Sequence, residues 1–480
     1  MKRPAFYLLF LVALFIFSYN LWFFLLREAK GATWHETLLR GGIVVDGSGR
    51  KAYPADVLIR GAKIAAVGGE IEPSPGTRVI DVRGAFILPG FIELRPGLLP
   101  SAAEQEKLVA AGVTNVIGGE RGSTPWEIEK YLSWVSQEKL HLNYGTLLGL
   151  GALRGVIQKD PQQISPPALK TLQGLVQKGL AGGALGISLD FNSLPDAFWT
   201  WEEIEKVLEN LAPSPILVLG LPEEVFFDEN DCLQALQQVF QEARKASFQP
   251  YLRHFRLPKS VSPALAARIE EEFRLATAGG VEVKGDLNPF GFTGNPRYRL
   301  GRVAGRFDPQ TLVFAEVPET YKELLGKSLA GVAQEQGLPV GDLANQLKGE
   351  HLLVELNEAG GERAFASLSF LCWQAFYAEQ GPGNDSGVEP RPYLNLLQED
   401  EGPLGSWPLE EKVRRLTFLP ARFFGLEGRG LIAPGYFGDL LVVKSSGEGE
   451  SVLEYVFVNG KPVLKNGCLT KIRPGIALRS

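Results

Sequence analysis

The run Leu252-Arg253-His254-Phe255-Arg256 sets one imidazole between two guanidiniums at the end of an apolar segment. An imidazole can ligate a metal or move a proton near neutral pH. A guanidinium has no lone pair to give a metal, and it grips carboxylate or phosphate in a bidentate fork. One histidine beside two arginines is a poor zinc site, because catalytic zinc takes three protein ligands. The whole chain holds four histidines. His35 precedes the first strand-like segments, and His141 and His351 come just before apolar runs at Leu142 and Leu352. Only His254 follows such a run, and a lone histidine is usually a hydrogen-bonded structural residue. Other motifs are missing. Gly149-x-Gly151 lacks the third glycine of a dinucleotide loop and the lysine of a P-loop. There is no Gly-x-Ser-x-Gly elbow. Asn384-Asp385-Ser386 is a formal glycosylation triplet. The three cysteines, Cys232, Cys372 and Cys468, are too far apart for a metal-binding pair or a disulfide framework.

The elements that must position these residues are legible in outline. The chain has 480 residues, enough for more than one domain, with 45% apolar and 22% charged residues, a globular balance. A net charge of −6 excludes a general nucleic-acid binder, which needs a basic face. Residues 5–26 carry no charge, and as a helix at ~1.5 Å per residue they would reach ~33 Å, a bilayer core. They read as an uncleaved transmembrane anchor over residues 1–30. A cleaved signal peptide with a small-residue site at Ala29-Lys30-Gly31 is the competing reading. The expectation is a single-pass membrane protein with its body on the extracytoplasmic side.

Short strand-like runs with turn residues fill both ends of the remaining chain. Gly42-Ile43-Val44-Val45, Asp56-Val57-Leu58-Ile59, Ile64-Ala65-Ala66-Val67 and Val79-Ile80-Asp81-Val82 lie at one end. Asp439-Leu440-Leu441-Val442-Val443 and Tyr455-Val456-Phe457-Val458 lie at the other, the second followed by a turn at Asn459-Gly460. These predict one composite β-sandwich from residues 38–88 plus 422–480. Residues 89–421 alternate apolar strands with helices. Thr114-Asn115-Val116-Ile117, Ile216-Leu217-Val218-Leu219, Val281-Glu282-Val283 and Leu312-Val313-Phe314 read as buried strands. Thr124-Pro125-Trp126-Glu127 and Thr200-Trp201-Glu202-Glu203 read as capping boxes. The fold class is α/β, a (β/α)8 TIM-like barrel; an open doubly wound sheet would share the periodicity.

Leu88-Pro89-Gly90-Phe91-Ile92-Glu93-Leu94-Arg95-Pro96-Gly97 resembles the first barrel strand of the amidohydrolase superfamily, with Arg95 and Gly97 where that family has two metal-binding histidines. Gly112-Val113-Thr114-Asn115-Val116-Ile117 and Gly183-Ala184-Leu185-Gly186-Ile187-Ser188 are similar to further segments of its D-aminoacylase, or N-acyl-D-amino-acid deacylase, branch. The longest match is Leu416-Thr417-Phe418-Leu419-Pro420-Ala421-Arg422-Phe423-Phe424-Gly425-Leu426, continuing through Arg429-Gly430-Leu431-Ile432. The resemblance implies the barrel with its composite sandwich and, in the family, a zinc-dependent hydrolase acting on non-peptide C–N bonds. It implies a third metal ligand, a cysteine, at Arg121, another histidine at Gly220, and only the last histidine kept, as His254. The catalytic aspartate has Glu379 as its nearest counterpart by spacing from Trp373, with Asp385 a weaker one. Pro390-Arg391-Pro392-Tyr393 resembles the segment whose arginine holds the substrate carboxylate.

Three functions follow as expectations. The first is an amidohydrolase-fold protein without metal catalysis, no cofactor, and Arg95, Arg121, Arg256 and Arg391 converging on a small anion or serving an envelope-protein partner. The second is an active C–N hydrolase with a rearranged site around His254 and Glu379, with zinc. The third is a structural domain with no ligand, tethered near an envelope complex, with Arg95 and Arg121 pairing with Glu93, Glu120 or Asp286.

Overall fold

The computed structural model describes residues 36–95, 97–157, 163–226, 229–255, 263–287, 297–300, 309–310, 312–347, 353–356, 371–373, 394, 407–445 and 451–480. The first strands are β1 (Glu36–Val44), β2 (Tyr53–Arg60), β3 (Lys63–Gly68), β4 (Arg78–Asp81) and β5 (Ala85–Pro89). They are followed by β6 (Phe91–Arg95), β7 (Val113–Gly118), β8 (Asn143–Thr146), β9 (Leu148–Gly149), β10 (Ile187–Asp190), β11 (Ile216–Gly220), β12 (Gln249–Arg253) and β13 (Lys284–Leu287). Then come β14 (Arg297–Arg299), β15 (Leu312–Glu316), β16 (Leu353–Leu356) and β17 (Leu371–Trp373). The chain closes with β18 (Leu440–Ser445), β19 (Ser451–Val458), β20 (Lys461–Lys465) and β21 (Cys468–Leu469).

Parallel strands separated by helices build the central barrel. β6, β7 and β8 pair in parallel as one sheet, and β9 to β13 with β17 form a second. Leu147 N–H donates to Gly118 O, and Leu185 N–H to Thr146 O, each at 2.9 Å, so the two sheets are arcs of one wall. The helix Leu409–Leu416 packs on both β17 and β6 and brings the last strand round to the first. Ile92, Leu94, Ile117, Val218 and Tyr251 share one buried cluster. They come from strands that are not all neighbours, so they meet across the barrel interior, which side chains fill. Phe423 and Phe424, from the long motif 416–426, enter the same cluster with rings 5.6 and 5.2 Å from Tyr251. That packing gives the motif a physical role: it plugs the barrel.

The two ends of the chain meet in a nine-stranded sheet ordered β21-β20-β19-β18-β5-β1-β2-β3, with β4 beside β1. Hydrogen bonds run through it continuously, so it is one curled sheet rather than two facing ones. Its curl brings Lys63 into a bridge with Phe437 and encloses its own core, including Val57, Ile87, Val442 and Phe457. The turn at Asn459-Gly460 has both residues at positive φ, 47° and 74°, as a two-residue hairpin requires.

Three of four local expectations are corrected. Thr124 does not cap a helix: its hydroxyl accepts from Gly149 N–H at 2.8 Å, and the helix Ile128–Val135 starts later without a side-chain cap. Thr200 does cap, in a full capping box with Glu203. Val281 to Val283 are not a strand; β13 begins at Lys284, and buried Val281 and Val283 pack in the barrel core beside it. Leu312 to Phe314 are a strand, but an antiparallel one in the side sheet β14-β16-β15, with a separate apolar core.

The expectation of a single-pass membrane protein is corrected as well. Among the described residues no helix is long and apolar enough to cross a membrane. The longest of these helices, Glu229–Ala246, is amphipathic and carries Glu229, Asp231, Glu242, Arg244 and Lys245. Residues 5–26 lie outside the described residues.

Candidate functional site at the barrel mouth

The C-terminal ends of the parallel strands bring charged residues together. β6 ends on Arg95, β10 on Asp190 and β12 on Arg253, with His254 next; Asp286 lies in β13; Glu120 and Arg121 follow β7. The loop after β7 is tightly held. Gly119 and Gly122 have φ of 86° and 69°, a region open to glycine. Gly122 N–H donates to Ser188 Oγ at 3.2 Å, and Ser188 Oγ–H donates to Gly119 O at 2.5 Å. A Cβ on Gly122 would lie 1.7 Å from Asp196 Oδ2, so the carboxylate of Asp196 is packed against the bare backbone. This clamp fixes Glu120 at 0% exposure, facing the strand ends.

Arg253 is the hub. Its Nη1 donates to Asp190 Oδ2 at 3.0 Å, and its Nε stands 4.0 Å from Glu120 Oε1, with the Arg253 and Asp190 side chains 6% and 2% exposed. Asp190 fits here because β11 ends on Gly220: a Cβ there would lie 2.4 Å from Asp190 Oδ1. His254 takes a positive φ of 50°, and its backbone N–H donates to Asp286 Oδ1 at 2.7 Å. Its Nε2 is 3.8 Å from Glu120 Oε1, beyond hydrogen-bond length. Burial pushes the Glu120 carboxyl up to about 8, against the pull of Arg253 and with a further push from Asp286. Burial likewise raises Asp286 to about 7, offset in part by the His254 N–H and by Arg253. Two buried acids this close to neutrality resist being ionised together.

Arg95 faces a different acid from those expected, and Arg121, beside Arg253, pulls the Glu120 carboxyl back down through its charge. Arg95 Nη2 reaches Glu104 Oε1 at 3.4 Å, and Arg121 Nε lies 4.0 Å from Asp190 Oδ2. Arg95 Nε is buried without a hydrogen-bond partner among the described residues. Arg256, Arg391 and Glu379 lie outside the described residues, as does Asp385. Arg154 lies away from this cluster: it is buried against Trp199, 4.8 Å from its ring, and donates to Glu203 at 3.1 Å. His141 is buried near Glu106, 3.5 Å away, ahead of β8 and remote from the mouth in the barrel's logic. Sequence reasoning missed Asp190 and Arg253 as an ion pair. The available signal was position: each is the charged last residue of an apolar strand.

Among the described residues the donor set does not assemble a metal site. Guanidiniums stand at 95 and 121, and position 97 is glycine. Among the described residues no group of three or more His, Cys, Asp or Glu is placed to hold a metal ion.

The barrel and its flanking sheet from both termini have counterparts among known proteins. No protein-family model matches the chain. It is 26% identical to the D-aminoacylase of Alcaligenes xylosoxydans xylosoxydans, over 92% of this chain and 97% of that one. It superposes on a crystal structure of D-aminoacylase with a TM-score of 0.67 at 23% identity, covering 92% of this chain and 99% of the other. An N-acyl-D-glutamate deacylase from Bordetella bronchiseptica, solved with zinc and a phosphonate inhibitor, gives a TM-score of 0.68 at 20% identity, with coverage of 92% and 99%. The chain is an amidohydrolase-superfamily TIM-barrel protein. Within that superfamily it is a homologue of the D-aminoacylase, or N-acyl-D-amino-acid deacylase, branch.

The two raised acids predict a pH response. A carboxyl whose folded value lies above its ordinary value stabilises the fold below that ordinary value, 4.5 for Glu120. That contribution is lost as pH rises through about 7 and about 8, where Asp286 and Glu120 ionise. The melting temperature is expected to fall from about pH 5 to about pH 8 and to level off above that. Glu120→Gln, which mimics the protonated acid, should flatten that fall in a thermal-unfolding series. An unchanged slope in the variant would remove Glu120 as its source.

Proposed function

We propose that this protein uses the D-aminoacylase-type barrel to bind an organic anion, without metal-dependent deacylation. The observation that carries the reading is Arg95. It ends β6 where the resemblance implies a metal-binding histidine, and its buried Nε has no hydrogen-bond partner among the described residues. A buried guanidinium N–H left unsatisfied is costly, and a carboxylate or phosphate oxygen would satisfy it. Arg121, about a third exposed at the same end of the barrel, supports the same preference. Arg256 and Arg391 are candidates to complete the grip.

The test combines elemental analysis with thermal shift. The purified chain should carry no stoichiometric zinc and should not deacylate N-acyl-D-amino acids. Carboxylates, acyl amino acids or phosphates should raise its melting temperature. Hydrogen bonds to charged groups contribute about 1.5–3 kcal/mol, so Arg95→Gln or Arg391→Ala should weaken anion binding about tenfold or more. One equivalent of zinc with chelator-sensitive turnover would favour the other reading, an active C–N hydrolase. The feature favouring that alternative is His254 beside two acids, Glu120 and Asp286, that titrate near neutrality.

A further inference from the structure

We propose that the groove between the helices Ala102–Ala110 and Ile128–Val135 is a second binding site, for a carboxylate carried on an apolar body. The groove is about 500 Å³, within the range of small-ligand sites. Leu99 and Pro100, ahead of the first helix, and Leu140, ahead of β8, give it an apolar lining. None of the charged residues at the barrel mouth lines it.

The walls are held by the protein itself. Gln105 is buried, and its amide is fully used: Nε2–H donates to Pro100 O at 2.9 Å, and Oε1 accepts from His141 N–H at 3.0 Å. Trp134 lines the groove and is 48% exposed. Its ring stacks on Tyr131, with centroids 5.8 Å apart and planes within 26°. Tyr131 is tied in turn to the groove's other wall, because its hydroxyl accepts from Leu99 N–H at 2.7 Å. The indole is therefore fixed on one face and half open on the rest. Covering that surface with an apolar group is favourable, and an indole this well braced loses little freedom in doing so.

Charge selects the head group. Lys139 and Arg473 line the groove against one carboxylate, Glu138, in a chain of net charge −6. Neither Lys139 nor Arg473 stands in an ion pair among the described residues. They come from segments pinned side by side, since Gly475 N–H donates to Leu140 O at 2.9 Å. After Glu454 the chain carries five lysines and arginines and no further acidic side chain, so the segment bearing Arg473 brings positive charge with no acid of its own. A carboxylate can take the Arg473 fork, with Lys139 as a second charge, while its apolar body covers Trp134 and Leu140. Inorganic phosphate would meet the cations and leave the indole in water. A neutral apolar molecule would cover the indole and leave the cations unpaired.

Isothermal titration of the full chain with hydrocinnamate, its neutral alcohol and inorganic phosphate tests the site. Every protein in the series carries Arg95→Gln, which weakens the anion grip proposed at the mouth, so the heat reports the groove. Hydrocinnamate should bind, and the alcohol and phosphate should each bind at least about tenfold more weakly. Adding Arg473→Gln or Trp134→Ala should each weaken hydrocinnamate about tenfold. Both positions are exposed, so circular dichroism and melting temperature should stay unchanged. No binding of hydrocinnamate, equal binding of the alcohol or of phosphate, or unchanged affinity in either added variant would each overturn the proposal.

Discussion

Asp439→Ala should destabilise the protein by about 3–5 kcal/mol, the usual effect of stripping one partner from a buried ion pair. Asp439 and Arg429 form such a pair, with side chains 3% and 2% exposed. Arg429 also donates to Asn459 Oδ1 at 3.0 Å and lies 3.9 Å from the Phe437 ring. Asp439 accepts from Asn459 N–H at 2.7 Å and from Asn143 Nδ2 at 3.3 Å. Asn115 and Asn143 belong to β7 and β8, while Asn459 caps the β19–β20 turn, so the network bolts the terminal sheet to the barrel. Alanine would leave the guanidinium buried among groups that cannot balance its charge. Asp439→Asn keeps part of the hydrogen bonding and should lose less. Denaturant unfolding of both variants measures this; a loss under about 1 kcal/mol for alanine would show the bolt to be redundant.

Arg253→Met is expected to be comparably severe, about 3–5 kcal/mol, for the same reason. It would strand Asp190, whose side chain is 2% exposed, beside Glu120, at 0%. Removing Arg253 also removes the largest influence holding Glu120 acidic, so its carboxyl should shift further up. The double variant Arg253→Met with Asp190→Asn should recover much of the loss, because the uncompensated carboxylate is gone. A double-mutant cycle by urea unfolding reads the coupling. Simple additivity would mean that the 3.0 Å contact contributes no net coupling.

The fold was largely legible in the chain, and the chemistry of the mouth was not. Short apolar runs such as Val57 to Ile59 and Tyr455 to Val458, the capping box at Thr200, and the Asn459-Gly460 turn are local signals, readable from neighbours along the chain. That Arg95, Gly97 and Arg121 offer no side-chain lone pair to a metal was equally local, since a residue's identity limits what it can ligate. Partnerships were decided by tertiary structure. Thr124 carries a capping signature, yet the strand end at Gly149 offers its N–H a better geometry, and the hydroxyl goes there. Leu312 to Phe314 has the composition of a barrel strand, and only its pairing with β16 shows that it belongs to a side sheet. Asp190 and Arg253 lie 63 residues apart, and adjacent strand ends plus the missing side chain of Gly220 bring them within 3.0 Å. Sequence by itself set the apolar runs, the turns and the side-chain chemistry available at positions 95, 97 and 121. Which charges meet, and which buried acids keep their protons, depends on distance and burial, quantities that exist only once the barrel has closed.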